Sequence, residues 1–296
     1  MFINRVKTFI LIVALSMLLL LIGKLVGGYA GIQVAFIFAL VINILAYFFS
    51  DKIVLAMYQA KPMEHNQYSW VYTITEELSS KMHIPMPKLW IIHASTANAF
   101  ATGRNPSNGS VALTSGIIDI LNKDELRGVI AHELAHIKNR DILIATIAAT
   151  IATAISYMAS MMRYTAFWGS MSNNRRNGNP LALILMSIIM PIAAFIIQLA
   201  ISRNREYLAD ETGAKYSQDP LALASALEKL HGSTVQNNHY TNTNNIGKES
   251  TASLFIVNPF SRKQKSKKLI NFFSTHPPIH KRIERLKKIY EKMFHI

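Results

Sequence analysis

The chain contains no cysteine among its 296 residues. Disulfide bonds, thiolate metal sites, iron–sulfur clusters and cysteine nucleophiles are therefore excluded. Charged residues are scarce at 16%, and they are unequal in sign, because 31 Lys and Arg against 17 Asp and Glu leave a net charge of +14. Such an excess favours binding to nucleic acid or to anionic lipid headgroups. No basic motif interleaved with aromatic residues is present, so the composition favours a membrane over nucleic acid.

Half of the residues are hydrophobic, and many of them are concentrated in long runs without charge. Two such runs near the N-terminus, about residues 6–23 and 31–49, are long enough to cross a hydrocarbon core of ~30 Å. Arg5 and Lys7 precede the first run, as in a signal peptide, but no small-x-small cleavage site follows at a convincing distance. We therefore predict a retained pair of transmembrane helices, with a short loop around Lys24.

The rest of the chain has a mostly soluble composition but contains two further apolar runs, residues 142–162 and 181–201. These runs are either a third and a fourth membrane span or a buried helical hairpin. If both span and the flanking domain is cytoplasmic, the arginines between them lie outside, against the positive-inside rule. Either that rule is overridden or the runs do not fully cross. Residues 232–253 are polar and low in complexity, which predicts a disordered insertion.

Shorter patterns predict a mixed domain after the first two runs. Apolar residues at helical spacing predict a helix over residues 64–83. Short apolar segments at 87–93 and 109–118, bounded by turn residues, predict strands. Asn122 followed by Glu125 three residues later is the capping-box pattern that opens a helix. The sequence therefore predicts a mainly helical α+β domain with a small sheet.

The helix that begins after Asn122 carries the motif His132-Glu133-Leu134-Ala135-His136. Histidines four residues apart lie on one helix face, so both can reach one metal ion. Glu133 is rotated by about 100° from His132, which suits it to hold a metal-bound water rather than the metal. The flanking residues are apolar, and burying these polar side chains is costly unless a metal or hydrogen bonds compensate. The motif therefore favours a zinc site over a polar surface face.

A catalytic zinc ion needs a third protein ligand and an open coordination position. No third histidine follows at the spacing of the HExxHxxGxxH arrangement. Glu206 and Asp210 are again four residues apart on a predicted helix. Composition alone favours an ion-paired surface helix there, because Arg203 and Arg205 are close. However, two histidines and a glutamate, with an aspartate on a ligand histidine, are a recurring zinc arrangement.

Six stretches of the chain, in the same order, resemble the M48 family of integral-membrane zinc metallopeptidases. They are the N-terminal pair of apolar runs, taken as one stretch, and NAFATG (98–103), VALTSGIID (111–119), AHELAHIKNRD (131–141), SRNREYLADETGA (202–214) and THPPIHKRI (275–283). The resemblance implies one zinc ion per subunit, held by His132, His136 and Glu206. It also implies that Glu133 is the general base and that Asp210 orients a ligand histidine.

Two of these stretches contain candidate substrate contacts. The NAFATG segment, which begins at Asn98, follows a predicted strand and offers an edge to which an extended peptide adds as another strand. The alternative is an ordinary turn. His276 precedes two prolines, and it either donates a hydrogen bond to the oxyanion of the transition state or only marks the start of a helix. We predict that His276 lies near the site, without a defined role.

The predicted architecture is a transmembrane hairpin over residues 1–50, followed by a zincin-like metallopeptidase domain over residues 51–296 that a second hydrophobic hairpin interrupts. The resemblance further implies a multi-pass protease of the bacterial inner membrane with a cytoplasmic active site. Its substrates would be misfolded or damaged membrane proteins and unfolded polypeptides, and it would contact membrane lipids but no nucleic acid. This role, part of a stress response, leaves room for cooperation with other membrane quality-control proteases.

Two other functions are compatible with parts of the pattern. A prenyl-protein (CAAX-type) peptidase of the same family shares the HExxH motif and a distant glutamate, but the chain is short and has few spans for that class. An inactive membrane scaffold is the alternative outside enzymes. The complete set of catalytic-type residues disfavours a scaffold, because degenerate homologues usually lose the base or a ligand.

Overall fold

The computed structural model describes residues 2–147, 150, 203–236, 256 and 277–295. Its helices are α1 (Phe2–Met57), α2 (Ser69–Lys81), α3 (Ser115–Ile120), α4 (Lys123–Asn139), α5 (Arg203–Ser217), α6 (Pro220–Gln236) and α7 (Ile279–Phe294). Its strands are β1 (Lys61–Pro62), β2 (Lys88–Ile92), β3 (Ala99–Gly103) and β4 (Gly109–Thr114). Residues 142–147 are also helical. Most of the apolar run 142–162, all of the run 181–201, and His276 lie outside the described residues.

Helix α1 reverses its direction at Gly28, whose φ of +57° is a left-handed conformation that glycine adopts without a steric penalty. The Asn43 amide donates a hydrogen bond of 2.8 Å to Ser16 Oγ, 27 residues away. A straight helix would hold these residues ~40 Å apart, so α1 consists of two antiparallel arms. A Cβ on Gly23 or Gly31 would collide with the carbonyl of the other glycine, so the arms approach closely beside the turn. The reversal therefore lies between the two predicted spans, 6–23 and 31–49, four residues after Lys24.

The second arm has the features of a membrane span. Among the described residues, Gly28–Phe49 is the one helical segment long and apolar enough to cross a membrane. Its large apolar side chains are exposed to an extent that a soluble surface rarely tolerates. They include Tyr29, Val34, Phe36, Ile37 and Leu40. One candidate span is thus present, and the first arm as a second span stays a prediction.

The four strands form one mixed sheet in the order β1-β2-β4-β3, in which β2 and β4 are parallel and the other pairs are antiparallel. The segments predicted as strands at 87–93 and 109–118 are β2 and β4. Strand β4 ends at Thr114, earlier than predicted. The reason is that the Thr114 hydroxyl accepts a hydrogen bond from the Ile117 N–H and caps α3. Strand β3, at the edge of the sheet, is formed by the NAFATG segment. The interpretation of this segment as an ordinary turn is therefore wrong.

The two faces of the sheet have different neighbours because side chains alternate along a strand. Phe100 and Ala112 point to the face where Val54 and Leu55, from the end of α1, complete a small apolar cluster. The opposite face, which includes Val111 and other odd-numbered residues, belongs to the main core with α4. The sheet therefore lies between the end of α1 and α4, the helix that carries the HExxH motif.

Helix α4 begins as the sequence predicts. The Asn122 side chain accepts from the Glu125 N–H at 2.8 Å, and the Glu125 carboxylate accepts from the Asn122 N–H at 2.9 Å, which is a complete capping box. The helix then packs against the sheet, α5 and α6. It is therefore the central helix of the domain.

The disordered insertion was predicted to begin at residue 232, which is too early in the chain. Residues 232–236 continue α6 to Gln236, and the Ser233 hydroxyl donates to the Leu230 carbonyl within that helix. Extending an existing helix adds one backbone hydrogen bond for each residue fixed, which outweighs the low apolar content of this stretch. The remaining residues of the predicted insertion, 237–253, lie outside the described residues.

Candidate metal centre

The structure brings together the three residues that the sequence analysis proposed as metal ligands. On α4, the Nε2 atoms of His132 and His136 are 3.2 Å apart. From α5, the carboxylate oxygens of Glu206 lie 3.7 Å from His132 Nε2 and 3.5 Å from His136 Nε2. One ligand atom from each residue thus lies within 4.8 Å of the others. These two helices alone supply the cluster.

The spacing fits one tetrahedral ion. Ligand atoms that bind zinc at about 2.0–2.2 Å in tetrahedral geometry are about 3.3–3.6 Å apart. The nitrogen–nitrogen distance of 3.2 Å is close to that range, as are the distances of 3.7 Å from His132 to Oε2 and 3.5 Å from His136 to Oε1 of Glu206. Two imidazoles and a carboxylate are also the donor set of a catalytic zinc site. The residues present therefore fit the metal that the motif predicts.

Helix α5 is buried against α4, so its interpretation as an ion-paired surface helix is wrong. Glu206 is 5% exposed and Asp210 is fully buried. The close approach of α5 to α4 depends on Gly213, where a Cβ would lie 3.0 Å from the backbone nitrogen of His132. A larger residue would hold the helices apart, because the atoms nearest to that Cβ are backbone atoms that cannot rotate away. Glycine at this position thus lets the carboxylates reach the histidines.

Each histidine has a carboxylate behind it. Asp210 Oδ1 lies 3.0 Å from Nδ1 of His132, as expected for the orienting role predicted for Asp210. Both oxygens of Asp141 lie 3.1–3.2 Å from Nδ1 of His136, a contact that the sequence analysis missed. In each case the contact is made by Nδ1, which leaves Nε2 for the cluster. The signal in the sequence that could have indicated this contact was Asp141 itself, an aspartate five residues after the second histidine of the motif.

Arg282 on α7 is the other residue that the sequence analysis missed. Its fully buried guanidinium donates to both oxygens of Asp210, from Nε at 2.9 Å and from Nη2 at 2.7 Å. Its Nη1 lies 3.5 Å from Glu206 Oε2 and donates to the Ile256 carbonyl at 3.2 Å. This one cation offsets the negative charge of two buried carboxylates. The stretch 275–283 contained it, but its neighbours Lys281 and Arg285 face solvent and gave it the appearance of a surface residue.

The surroundings shift the pKa of the two histidines in opposite directions. Burial, together with the positive charge of Arg282, lowers the pKa of His132 in spite of its contact with Asp210. Burial also opposes protonation of His136, but the carboxylates that face it, with Asp141 first, raise its pKa to about 10. A neutral imidazole is the form that binds a metal, so metal binding at His136 displaces a proton.

Glu133 lies between the metal-ligand cluster and the edge of the sheet. It is 2% exposed, and burial, with the nearby charge of Glu206, raises its pKa to about 7. A hydrogen bond from the backbone of Ala101 in β3 acts in the other direction. A carboxyl with a pKa near neutrality can accept and return a proton under ordinary conditions. This is the property that a general base requires.

The outer edge of β3, a strand whose residues are all buried, runs past Glu133. The Ala99 carbonyl accepts from the Ile256 N–H at 3.1 Å, and the Ala99 N–H donates to Asn98 Oδ1 at 3.0 Å, so both backbone groups point away from β4. Alternation along the strand gives Ala101 the same orientation. Asn98 is buried at the start of this strand, where it also pairs with Thr114. Its predicted contact with substrate stays a prediction, as does the role of His276.

The chain is similar to known proteases over almost its whole length. The sequence profile of peptidase family M48 matches residues 65–290. A protein named "Protease HtpX homolog" from Syntrophobacter fumaroxidans is 50% identical over 97% of this chain and 99% of its own length. A second of that name, from Pyrococcus furiosus, is 48% identical over 97% and 96%. "Protease HtpX" of Legionella pneumophila is 46% identical over 97% and 100%.

A solved structure also has a similar fold. The crystal structure of S. mikatae Ste24p matches 96% of this chain and 66% of that protein, with a TM-score of 0.51. The sequence identity is 19%, so this likeness concerns the fold alone. It agrees with a mainly helical protein that contains a small sheet.

Proposed function

The chain belongs to peptidase family M48, and on this premise we propose that it is a zinc-dependent endopeptidase with one ion held by His132, His136 and Glu206. It is a membrane-associated metalloprotease, as its family and its relatives of about 50% identity indicate. The observation that supports this ligand set is the convergence of two imidazole nitrogens and a carboxylate oxygen within 4.8 Å of one another, the donor set of a catalytic zinc site. The prenyl-protein peptidase and the inactive scaffold are not favoured, since the relatives that match the full length are named as HtpX proteases.

Zinc bound there would act as a Lewis acid that polarises the scissile carbonyl and lowers the pKa of water. Glu133 takes the proton from the attacking water as its oxygen adds to the peptide carbonyl carbon. It then donates this proton to the amide nitrogen, which leaves as an amine when the C–N bond breaks. Arg282 keeps Asp210 ionised, and Asp210 holds His132 in the tautomer that leaves Nε2 free.

The edge of β3 is the place where a substrate backbone would bind. An extended peptide can add to a strand edge through main-chain hydrogen bonds, which bind without regard to side-chain identity. At Ala99 such a peptide would replace the Ile256 N–H as the partner of the outward carbonyl. Ala101 at this edge neighbours Glu133, so a peptide there would have its carbonyls close to the base. Such a mode suits unfolded polypeptides, whose backbone hydrogen bonds are not already made within a fold.

The catalytic proposal is tested with Glu133→Gln. The amide is nearly isosteric and cannot accept the proton, so cleavage of casein should fall by about 10²–10⁴-fold while zinc content stays the same. Glu228→Gln, at an exposed position on α6, is the matched control and should cleave normally. Near-normal cleavage by the Glu133 variant, or cleavage that survives removal of the metal by a chelator, would contradict the mechanism.

We further propose that the enzyme is a multi-pass protein of the inner membrane, with its active site in the cytoplasm and with misfolded membrane proteins as substrates. Attachment to the bilayer supports this substrate class, because it raises the effective concentration of membrane-bound polypeptides. The absence of cysteine allows single-cysteine variants to map the topology. Lys24→Cys, near the turn of α1, and Lys61→Cys, in β1, are both exposed and should react with an impermeant maleimide from opposite sides. Labelling from the same side would contradict a membrane-spanning second arm.

A further inference from the structure

The end of α4 places a carboxylate directly behind the second histidine of the motif. Arg140 adopts a left-handed conformation, with φ 57° and ψ 36°, and its N–H donates to the carbonyls of His136 and Ile137. The Asp141 N–H then donates to the His136 carbonyl at 3.3 Å. This reversal turns the chain back over the last helical turn. The Asp141 carboxylate thereby reaches Nδ1 of His136, five residues earlier in the chain.

The position of Asp141 has a simpler explanation, which its contacts do not favour. Residues 142–147 are helical, and the Asp141 carbonyl accepts from the Ala145 N–H at 3.4 Å, so Asp141 is the N-cap of that helix. An N-cap aspartate ordinarily accepts from the N–H two or three residues later, here at 143 or 144. Within the described residues, the hydrogen bonds of its carboxylate go to His136 instead, at 3.1 and 3.2 Å.

We propose that Asp141 is a positioning residue for the metal centre: it holds the His136 ring so that Nδ1 carries the proton and Nε2 faces the ion. This inference rests on the proposed zinc function. A carboxylate on the far nitrogen of a ligand histidine fixes the tautomer and the ring orientation and makes the ligand more basic. Asp210 is shared between His132 and the guanidinium of Arg282. The carboxylate of Asp141 is directed at its histidine through both oxygens.

Three substitutions separate the positioning role from the capping role. Asp141→Ala removes both, whereas Asp141→Ser keeps a good helix cap but has no carboxylate to reach His136. Asp141→Asn keeps an acceptor of the same shape without the charge. Arg140→Gly is the matched control, because glycine adopts the same left-handed backbone and leaves Asp141 in place. The full-length protein in detergent is the sample in every case.

Two measurements are made on each variant: zinc affinity, by competition with a chelating dye, and the visible absorption spectrum of the cobalt-substituted protein. We expect Asp141→Ala and Asp141→Ser to bind zinc about 10–100-fold more weakly, with a changed cobalt spectrum. Asp141→Asn should lie between them and the wild type, and Arg140→Gly should match the wild type.

Two outcomes would overturn the inference without affecting the zinc proposal. One is wild-type affinity in both Asp141→Ala and Asp141→Ser. The other is wild-type affinity in Asp141→Ser alone, which would make Asp141 a helix cap and nothing more. A wild-type protein that binds no zinc, or that binds it equally after His132→Ala, would overturn both proposals.

Discussion

Glu133 is expected to destabilise the metal-free protein at neutral and alkaline pH, because its burial favours the protonated form. Its pKa is about 7 in the folded chain, compared with 4.5 ordinarily. A carboxyl whose pKa rises on folding contributes stability that is complete below its unfolded pKa and is lost as the pH rises through the folded pKa. At about 1.4 kcal/mol per pH unit, the difference between 4.5 and 7 corresponds to about 3 kcal/mol. This value is the upper limit of the effect.

Glu133→Gln removes the titration but keeps the shape of the side chain. The metal-free variant should therefore be more stable than the metal-free wild type by up to about 3 kcal/mol at pH 8, and by about 1 kcal/mol or less at pH 5. The assay is denaturant or thermal unfolding of chelator-treated protein in detergent at the two pH values. Bound zinc has to be absent from both proteins, because its charge would itself lower the pKa of the glutamate.

Glu125 on the same helix is the matched control with the opposite sign. Burial would raise its pKa, but hydrogen bonds from Lys229, Ser225 and the Asn122 N–H outweigh that effect and lower it. Its contribution to stability is therefore present above the unfolded pKa and is lost as the pH falls. Glu125→Gln should be less stable than the wild type at pH 8, with a difference that shrinks in acid.

A stability difference between Glu133→Gln and the wild type that did not change between pH 5 and pH 8 would contradict this prediction. So would a change of stability in the same direction in both glutamine variants at pH 8. Either result would mean that burial does not determine the ionisation of Glu133.

Two further predictions concern helix α5. Glu206→Ala should lose most of its zinc, because two protein ligands are too few to hold a catalytic ion, and Glu206→Asp should be intermediate. The control is Glu211→Ala on the same helix, which should keep its zinc because the Glu211 side chain is 58% exposed. Full zinc occupancy in Glu206→Ala would reject the ligand assignment. Gly213→Ala should cost ~1–3 kcal/mol in unfolding free energy and weaken zinc binding, since its Cβ would press on the backbone of His132. Gly232→Ala in α6 has open space around the new Cβ, so it should be neutral or stabilising, and equal effects of the two alanines would show that crowding is not the cause.

The sequence predicted those features that depend on neighbouring residues. The capping box at Asn122, the helix that follows it and the spacing of His132 and His136 are local, and all are present as expected. The gap between the two predicted spans contains Gly28, but its left-handed φ and the close approach of the arms have no local signature as strong as the apolar runs on either side.

Contacts between distant segments were harder to predict. Arg282 meets Asp210 across 72 residues, and only the packing of α7 turns this one basic residue inward while its neighbours face solvent. Composition favoured a surface position for Glu206 because charged residues surround it in the sequence. Its burial depends on Gly213, one small residue two turns later that lets two helices meet. Such a dependence cannot be read from the charges themselves.

The junction between α1 and the sheet fixes the distance between the candidate span and Glu133. Three residues separate α1 from β1, and the last turns of α1 pack on Phe100, whose neighbour Ala101 contacts Glu133. Phe49, where the candidate span ends, is about 8 Å along the helix from Val54, so the base lies within about 20 Å of that end. An extended polypeptide covers this distance in about six residues. For the membrane-protein substrates proposed above, a short unfolded segment beside a span would therefore suffice to reach Glu133, whereas a segment shorter than this would be protected by its attachment.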